Sequence, residues 1–165
     1  MVGRINHGFN MQNLIRLPRI NTRNGNPVNP TDVSRGIFGA TVGIDRLLRL
    51  WDKYSIKATW FTPAHSAESF PSQIRKIAEK GHEIGLHGYT HEFVSTLDKK
   101  QQRDVLDRSI EVLTRITGKR PRGWTAPAWS TSRETVELLE EFGIVCTLLI
   151  LSIWVLFTNP PNSGV

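Results

Sequence analysis

Four segments of the chain place apolar residues at the three- and four-residue spacing of a helix with one buried face. They predict helices over residues 44–54, 71–80, 99–117 and 131–142. Three short runs rich in β-branched and aromatic residues predict strands over 57–62, 82–87 and 122–125. Thr131 and Glu134 resemble a capping box that opens the last helix. Residues 1–43 lack sustained periodicity, and 21–41 is predicted as loop.

Helices and strands alternate along residues 44–142, which is the order of βα units around a sheet of parallel strands. The alternation predicts an α/β fold, either a doubly wound sheet or a barrel. In both architectures functional groups gather at the carboxyl ends of the strands. His87, the segment 125–129 and His65 each follow a predicted strand, so we expect them to meet at one rim.

The two ends of the chain differ from this central pattern. We divide the chain into an irregular basic leader at 1–33, a central domain at 34–144 and an apolar tail at 145–165. The 13 residues from Val145 to Phe157 carry no charge. Because a membrane-spanning helix needs about 20 apolar residues, we do not expect this run to span a membrane.

Composition and charge favour a packed globular domain and disfavour a nucleic-acid-binding protein. The chain has 165 residues, of which 39% are hydrophobic and 22% charged, and this balance fits a packed domain. The net charge is +6, but the excess lies in the leader without an aromatic platform, so nucleic-acid binding is disfavoured. Cys146 is the single cysteine, and no secretory signal is apparent, so we expect a cytoplasmic protein.

Two of the five histidines, His87 and His91, lie four residues apart in the segment LHGYTHE. Neutral imidazoles bind zinc and other divalent ions, and Gly88 allows the loop to fold back so that both rings reach one ion. The alternative is a pair of structural histidines, which is also how we interpret His82 at the start of its strand. A metalloprotease is disfavoured, since Gly88 stands where the general base of an H-E-x-x-H motif belongs.

Three segments, the second of which contains this histidine pair, carry a family resemblance: SRGIFGATVGIDRLLRLWDKYSIKATWFTPAHSAESFP, IAEKGHEIGLHGYTHE and ITGKRPRGWTAPAWSTSRETVELLEEFGI. In order and spacing they resemble the polysaccharide deacetylase (NodB-homology) family, and most closely its cytoplasmic branch of allantoinase-like and cyclic-imidase-like hydrolases. The resemblance implies a partial deformed (β/α) barrel and a divalent metal, usually zinc. It also implies hydrolysis of a non-peptide C–N bond in an N-acetylated sugar or a small cyclic amide.

The resemblance also assigns roles to individual residues. His87 and His91 match the two histidines of the family's metal-binding motif. Thr125 occupies a position where the family often has arginine. The candidate substrate contacts are Trp124, Thr125, Pro127 and Trp129, together with His65 and Glu68 in a loop after the first predicted strand. For Trp129, stacking on a sugar or heterocycle and plain packing both stay open.

The sequence departs from the family where the catalytic carboxylates belong. The family uses two aspartates in a D-x-D or Asp-Asp arrangement and a late histidine, and this chain contains neither aspartate pair. Asp32, the sole acid upstream of the resemblance, lies in a predicted loop and is not assigned as the base. We interpret both ends as truncated, with non-coding sequence translated in place of family sequence. Two functions stay open: an amide hydrolase, and a catalytically incomplete remnant that binds metal weakly through His87 and His91.

Overall fold

The computed structural model describes residues 8–10, 30–144 and 146–148. The strands are β1 (Gly8–Asn10), β2 (Thr59–Thr62), β3 (Glu83–Leu86), β4 (Gly123–Thr125) and β5 (Cys146–Leu148). The α-helices are α1 (Pro30–Phe38), α2 (Ile44–Lys53), α3 (Ala64–Ser69), α4 (Pro71–Glu79), α5 (Lys99–Thr117) and α6 (Arg133–Glu141). A π-helical turn, Gly39–Gly43, joins α1 to α2, and short 3-10 turns lie at Val94–Thr96 and Pro127–Trp129.

The five strands form one parallel sheet in the order in which they occur along the chain. In register, Trp60 of β2 pairs with Ile84 of β3, and Leu86 of β3 pairs with Trp124 of β4. A doubly wound sheet reverses its strand order at a switch point, whereas a (β/α) barrel adds each strand beside the preceding one. The predicted α/β fold with a partial barrel is therefore confirmed.

The core lies where α2 and α5 cover the sheet. The apolar residues Ile44, Leu48 and Trp51, spaced four and three apart, are the buried face of α2. Trp51 meets Trp60 of β2 edge to face, with ring centroids 5.0 Å apart. All four residues of β2 are buried, as expected for a parallel strand covered on both faces. Each large apolar side chain buried in this way stabilises the fold by about 1.5–3 kcal/mol.

The longest helix, α5, has the bounds that its periodicity predicts. It begins with a capping box between Asp98 and Gln101 and ends at Gly118, whose φ of 71° suits a glycine cap. It packs against α3, α4, α6 and β3. Its buried residues are Gln102, Leu106, Ser109, Ile110, Val112, Leu113 and Ile116. The helix therefore links the βα units that carry the candidate site.

The loop predicted over 21–41 is wrong for residues 30–41, which form α1 and part of the π-helical turn. The buried positions of this segment are Gly36, Gly39 and Ala40. Such small side chains carry little hydrophobic signal, so periodicity does not reveal the helix. Pro30 at its first position fits a helix start, since proline needs no hydrogen-bond acceptor for a missing N–H.

The capping box predicted at Thr131 and Glu134 is also wrong. The cap of α6 is Ser132, whose hydroxyl accepts from the amide of Thr135. The buried Gln102 of α5 accepts a hydrogen bond from the Thr135 hydroxyl at 2.6 Å and donates to Ser132 at 3.1 Å. This contact with another helix fixes where α6 begins.

β1 lies inside the predicted irregular leader, and at three residues it is too short to show periodicity. β5 begins two residues beyond the predicted domain boundary at 144. Val145 and residues 149–157 of the apolar run lie outside the described residues, and the division into leader, domain and tail stays a prediction. Among the helices of the described residues, none combines the length and apolar character needed to cross a membrane.

Candidate metal-binding and substrate site

The segments that follow β2, β3 and β4 meet at the carboxyl edge of the sheet, as the alternation predicts. From α3, the amide of Ala64 donates to the carbonyl of Gly88 at 3.1 Å, and that of His65 donates to Tyr89 at 2.9 Å. From the other side, the carbonyl of Thr125 at the end of β4 contacts His87. The histidine loop, residues 87–92, therefore lies between its two neighbouring strand ends.

His87 is held in one orientation by the neighbouring strand. It directly follows β3 and is 1% exposed. Its Nδ1 lies 2.9 Å from the carbonyl oxygen of Thr125, which can only accept, so Nδ1 carries the hydrogen. Burial lowers the pKa of His87 to about 4, so the ring is neutral at pH 7. In this tautomer the lone pair belongs to Nε2, which is the arrangement found in metal-binding histidines.

The turn that follows brings the second histidine back to the first. The ring centroids of His87 and His91 lie 5.0 Å apart with a 59° angle between the planes. Gly88 has a φ of 71° and His91 a φ of 68°, both in the left-handed region. A Cβ on Gly88 would stand 2.7 Å from Oε2 of Glu92 and 3.2 Å from Cγ of Pro127. The turn therefore requires glycine at position 88, and the fold-back predicted there is observed.

Glu92 uses its carboxylate to close the histidine loop. Oε2 accepts from the amide of Tyr89 at 2.9 Å, and Oε1 accepts from the amide of Thr90 at 2.7 Å. The Thr90 hydroxyl donates to the same Oε1 at 2.6 Å. Hydrogen bonds to a charged acceptor contribute about 1.5–3 kcal/mol each, so Glu92 serves the shape of the loop.

Two imidazoles from one loop fit two positions around a divalent ion, and a second-shell carbonyl already orients His87. His87 and His91 are thus the residues that would hold a metal. A catalytic zinc site keeps about three protein ligands. Within residues 30–144, whose side chains the structure describes apart from Asp32, no three His, Cys, Asp or Glu side chains form such a group. The third ligand expected from the resemblance is not found among them.

Three of the six candidate substrate contacts form the wall behind the histidine pair. Trp124 is 1% exposed and pairs in register with Leu86, the residue before His87. Thr125 is buried and binds His87 through its carbonyl. Pro127 is buried against Gly88. These positions support the histidine loop, and a substrate role for them stays a prediction.

Trp129 differs from the other tryptophans near the site. Its side chain is 68% exposed, and it follows Ala128 in a turn where both residues have positive φ, 49° and 58°. Non-glycine residues adopt such angles at some energetic cost, which the surrounding contacts offset. One contact is a 2.7 Å hydrogen bond between the hydroxyls of Ser130 and Ser95, which joins this turn to the segment after the histidine loop.

His65 and Glu68 lie on the short helix α3, and the loop predicted for them is wrong. Six residues with a mixed polar pattern are too few to reveal a helix by periodicity. The Glu68 carboxylate accepts from Tyr89 Oη at 2.7 Å and from Arg115 at 3.1 Å, and these contacts lower its pKa. The His65 ring meets the Tyr89 ring edge to face at 6.0 Å. Their substrate roles stay predictions.

Sequence reasoning missed Tyr89 and Arg108, which meet across 19 positions of the chain, and it missed the structural use of Glu92. For Tyr89 and Glu92 the one available signal is their place in the histidine segment, and for Arg108 there is none. No periodicity or spacing marks a contact between a loop and a helix surface.

The chain is similar in sequence and in fold to several known proteins. The sequence model of the polysaccharide deacetylase family matches residues 38–147. A peptidoglycan deacetylase of Helicobacter pylori is 48% identical over 119 residues, which is 72% of this chain and 41% of that protein. A crystal structure from Mycobacterium smegmatis assigned to the polysaccharide deacetylases superposes with a TM-score of 0.72 at 35% identity, covering 84% of this chain and 48% of that one. The crystal structure of PuuE allantoinase gives a TM-score of 0.63 at 34% identity, covering 70% and 37%. The chain thus spans less than half the length of each of these proteins.

Proposed function

This chain belongs to the polysaccharide deacetylase family, and on that premise we propose that it acts as a metal-dependent hydrolase of non-peptide C–N bonds. Family membership and the similar peptidoglycan deacetylase support an N-acetylated sugar as substrate. The similar allantoinase supports the alternative of a small cyclic amide. The cytoplasmic location and the allantoinase-like branch expected from the sequence belong to the same proposal.

The observation that carries the proposal is the pair of adjacent imidazoles at the carboxyl ends of the strands. His87 and His91 would hold the ion, with zinc proposed because nitrogen ligands suit it. When bound, such an ion supplies Lewis-acid polarisation of an amide carbonyl. The carbonyl of Thr125 keeps the His87 ring oriented. The exposed indole of Trp129 offers an apolar plate on which a sugar ring or heterocycle can stack.

A second function is favoured by the missing carboxylates. The sequence has no D-x-D or Asp-Asp pair, and the described side chains supply no third ligand to the histidine pair. Without a base and with an incomplete ligand set, the chain would bind metal weakly and turn over nothing. We keep this remnant as the alternative, and no catalytic residue is assigned.

The test is metal binding and turnover on the full chain. Cobalt(II) titration and metal analysis measure binding, while acetate release from N-acetylglucosamine oligomers and ring opening of allantoin or hydantoin measure turnover. Loss of a second-shell partner already costs about 10–100-fold in metal affinity, so His87→Ala and His91→Ala should each cost more than roughly 100-fold. His82→Gln, at the other end of the same strand, is the matched control and should keep both properties.

Three outcomes separate the alternatives. Binding and turnover that are both lost in the two alanine variants support the hydrolase. Metal binding without turnover supports the remnant. Turnover that survives both alanine substitutions overturns the metal proposal altogether.

A further inference from the structure

Tyr89, the central residue of the histidine loop, is held by a helix that contributes no ligand. The guanidinium carbon of Arg108, on α5, lies 4.0 Å from the centroid of the Tyr89 ring. Nη2 of the same arginine donates to the Tyr89 hydroxyl at 2.7 Å. Arg108 thus contacts both the face and the polar tip of one side chain, which restricts the ring more than either contact alone.

The Tyr89 hydroxyl also contacts a second helix. It donates to Oε2 of Glu68, on α3, at 2.7 Å. The other oxygen of Glu68 accepts from Arg115 at 3.1 Å, and Arg115 lies seven residues, or two turns, beyond Arg108 on the same face of α5. The contacts therefore run from Arg108 through Tyr89 and Glu68 to Arg115. The Tyr89 hydroxyl lies between a guanidinium and a carboxylate.

The backbone of α3 is bonded to the same loop. The amides at the start of this helix, Ala64 and His65, donate to the carbonyls of Gly88 and Tyr89. Tyr89 lies two residues from each of His87 and His91. Any rotation of the backbone at Tyr89 would therefore change the distance between the two imidazoles.

We propose that Arg108 and Glu68 are positioning residues that act through Tyr89 to hold His87 and His91 at the spacing needed to bind one ion. The role in metal binding rests on the proposed function, whereas the effect on the loop does not. The contact between Arg108 and Tyr89 is the decisive one, because it joins the histidine loop to the longest helix of the described chain.

The variants are chosen to separate this contact from a general loss of stability. Arg108→Ala removes both contacts, and Tyr89→Phe keeps the stacked ring but removes the hydroxyl. Arg103→Ala is the matched control, because Arg103 also lies on α5, stacks on an aromatic ring (Phe142, 5.6 Å) and binds a carboxylate (Glu141). These contacts join Arg103 to Glu141 at the end of α6 and to Phe142 directly after it, both outside the histidine loop.

Two measurements are needed, one with metal and one without. Cobalt(II) affinity and the visible spectrum of the bound ion report the ligand geometry. Amide hydrogen exchange in the metal-free chain reports the loop, read at Tyr89 and Thr90, which donate to Glu92, and at Ala64 and His65. Arg108→Ala should weaken cobalt binding about 10-fold, the size of a second-shell effect, and speed exchange at these four amides. Tyr89→Phe loses only the hydrogen bonds of the hydroxyl and should weaken binding less, by about threefold, whereas Arg103→Ala should weaken it by less than about twofold.

The outcomes separate a failure of the positioning role of Arg108 from a failure of the proposed metal-dependent function. Unchanged cobalt affinity and exchange in Arg108→Ala overturn the positioning role, and so does an equal effect of Arg103→Ala. Faster exchange with unchanged cobalt affinity limits Arg108 to a structural role and also overturns it. If the wild-type chain binds no cobalt but Arg108→Ala still speeds exchange at the four amides, the proposed function fails while the hold on the loop stands.

Discussion

A buried histidine flanks each end of strand β3, and the two rings carry their hydrogen on opposite nitrogens. At the start of the strand, Nδ1 of His82 accepts from the amide of Ala58 at 3.3 Å, so the hydrogen of the neutral ring is on Nε2. At the end, Nδ1 of His87 donates to the Thr125 carbonyl, so the hydrogen is on Nδ1. His82 also lies against the rings of Trp51 and Trp60, at 5.3 and 6.2 Å.

The comparison shows which property separates a structural histidine from a candidate ligand. Burial is the main reason that the pKa of both His82 and His87 is lowered, so neither burial nor a shifted pKa distinguishes them. The backbone partner does, because it decides which nitrogen keeps a lone pair. The side chains that bind the loop backbone also differ in charge at the two ends of β3. Near His87 the Glu92 carboxylate accepts from a backbone amide, whereas near His82 the Lys57 ammonium donates to the Lys80 carbonyl.

The largest difference between the two ends is expected at their glycines. Gly88→Ala meets a positive φ and a contact of 2.7 Å with the carboxylate that closes the loop. It should lower the free energy of unfolding by about 3 kcal/mol. Gly81→Ala also has a positive φ, 77°, but its nearest neighbour is the Lys57 side chain at 3.6 Å, so about 1 kcal/mol is expected. Urea titration checks both, and equal losses would contradict the asymmetry.

A smaller difference is expected at the carboxylates. Glu92→Ala leaves the amides of Tyr89 and Thr90 without their charged acceptor; because the loop is half-buried, water replaces part of the lost bonding, and the variant should cost about 2 kcal/mol. Glu83→Ala, at the other end of β3, removes an exposed carboxylate bonded to the Thr59 hydroxyl and should cost less than about 0.5 kcal/mol. The same urea titration measures both variants. A Glu92→Ala variant as stable as Glu83→Ala would show that the loop keeps its shape without the carboxylate.

The smallest effect is expected from pH at His82. Its pKa is lowered by burial and then by Lys57, with Asp52 opposing and Lys80 adding to the shift. Because the folded ring takes up its proton at a lower pH than the ring of the unfolded chain, whose pKa is near 6.5, His82 leaves stability unchanged above that pH and lowers it as the pH drops below it. His82→Gln should therefore lose less stability than the wild type between pH 7.5 and 5.5, since His87 is present in both. Identical losses would show that His82 does not titrate differently in the folded chain.

The helices and strands that sequence alone predicts are those with large apolar side chains on one face. Ile74 and Ile77 mark α4 in this way, and Trp60 marks β2. α1 and the π-helical turn after it are not predicted because their buried positions are glycine and alanine, and α3 is not predicted because six residues cannot show a period. The start of α6 depends on Gln102, which is 30 residues away in the sequence.

For the site, the motif spacing identifies the histidine pair and the strand pattern predicts its edge of the sheet. The tautomer of His87 could not be predicted, because it depends on a carbonyl 38 residues away. The role of Arg108 is hidden for the same reason, since a helix surface gives no sign of which loop it will contact. Contacts between segments that are distant in the sequence orient these functional groups, and the sequence alone does not predict such contacts.

The exposed turn at Trp129 has a practical consequence for studying this chain. Of the four tryptophans whose side chains are described, Trp51, Trp60 and Trp124 are at most 8% exposed, whereas Trp129 is 68% exposed. An aqueous quencher such as iodide can therefore reach the fluorescence of Trp129 and not that of the other three. A sugar or heterocycle stacked on this indole, as proposed, would shield it from iodide, so quenching of Trp129 would test the proposed stacking role.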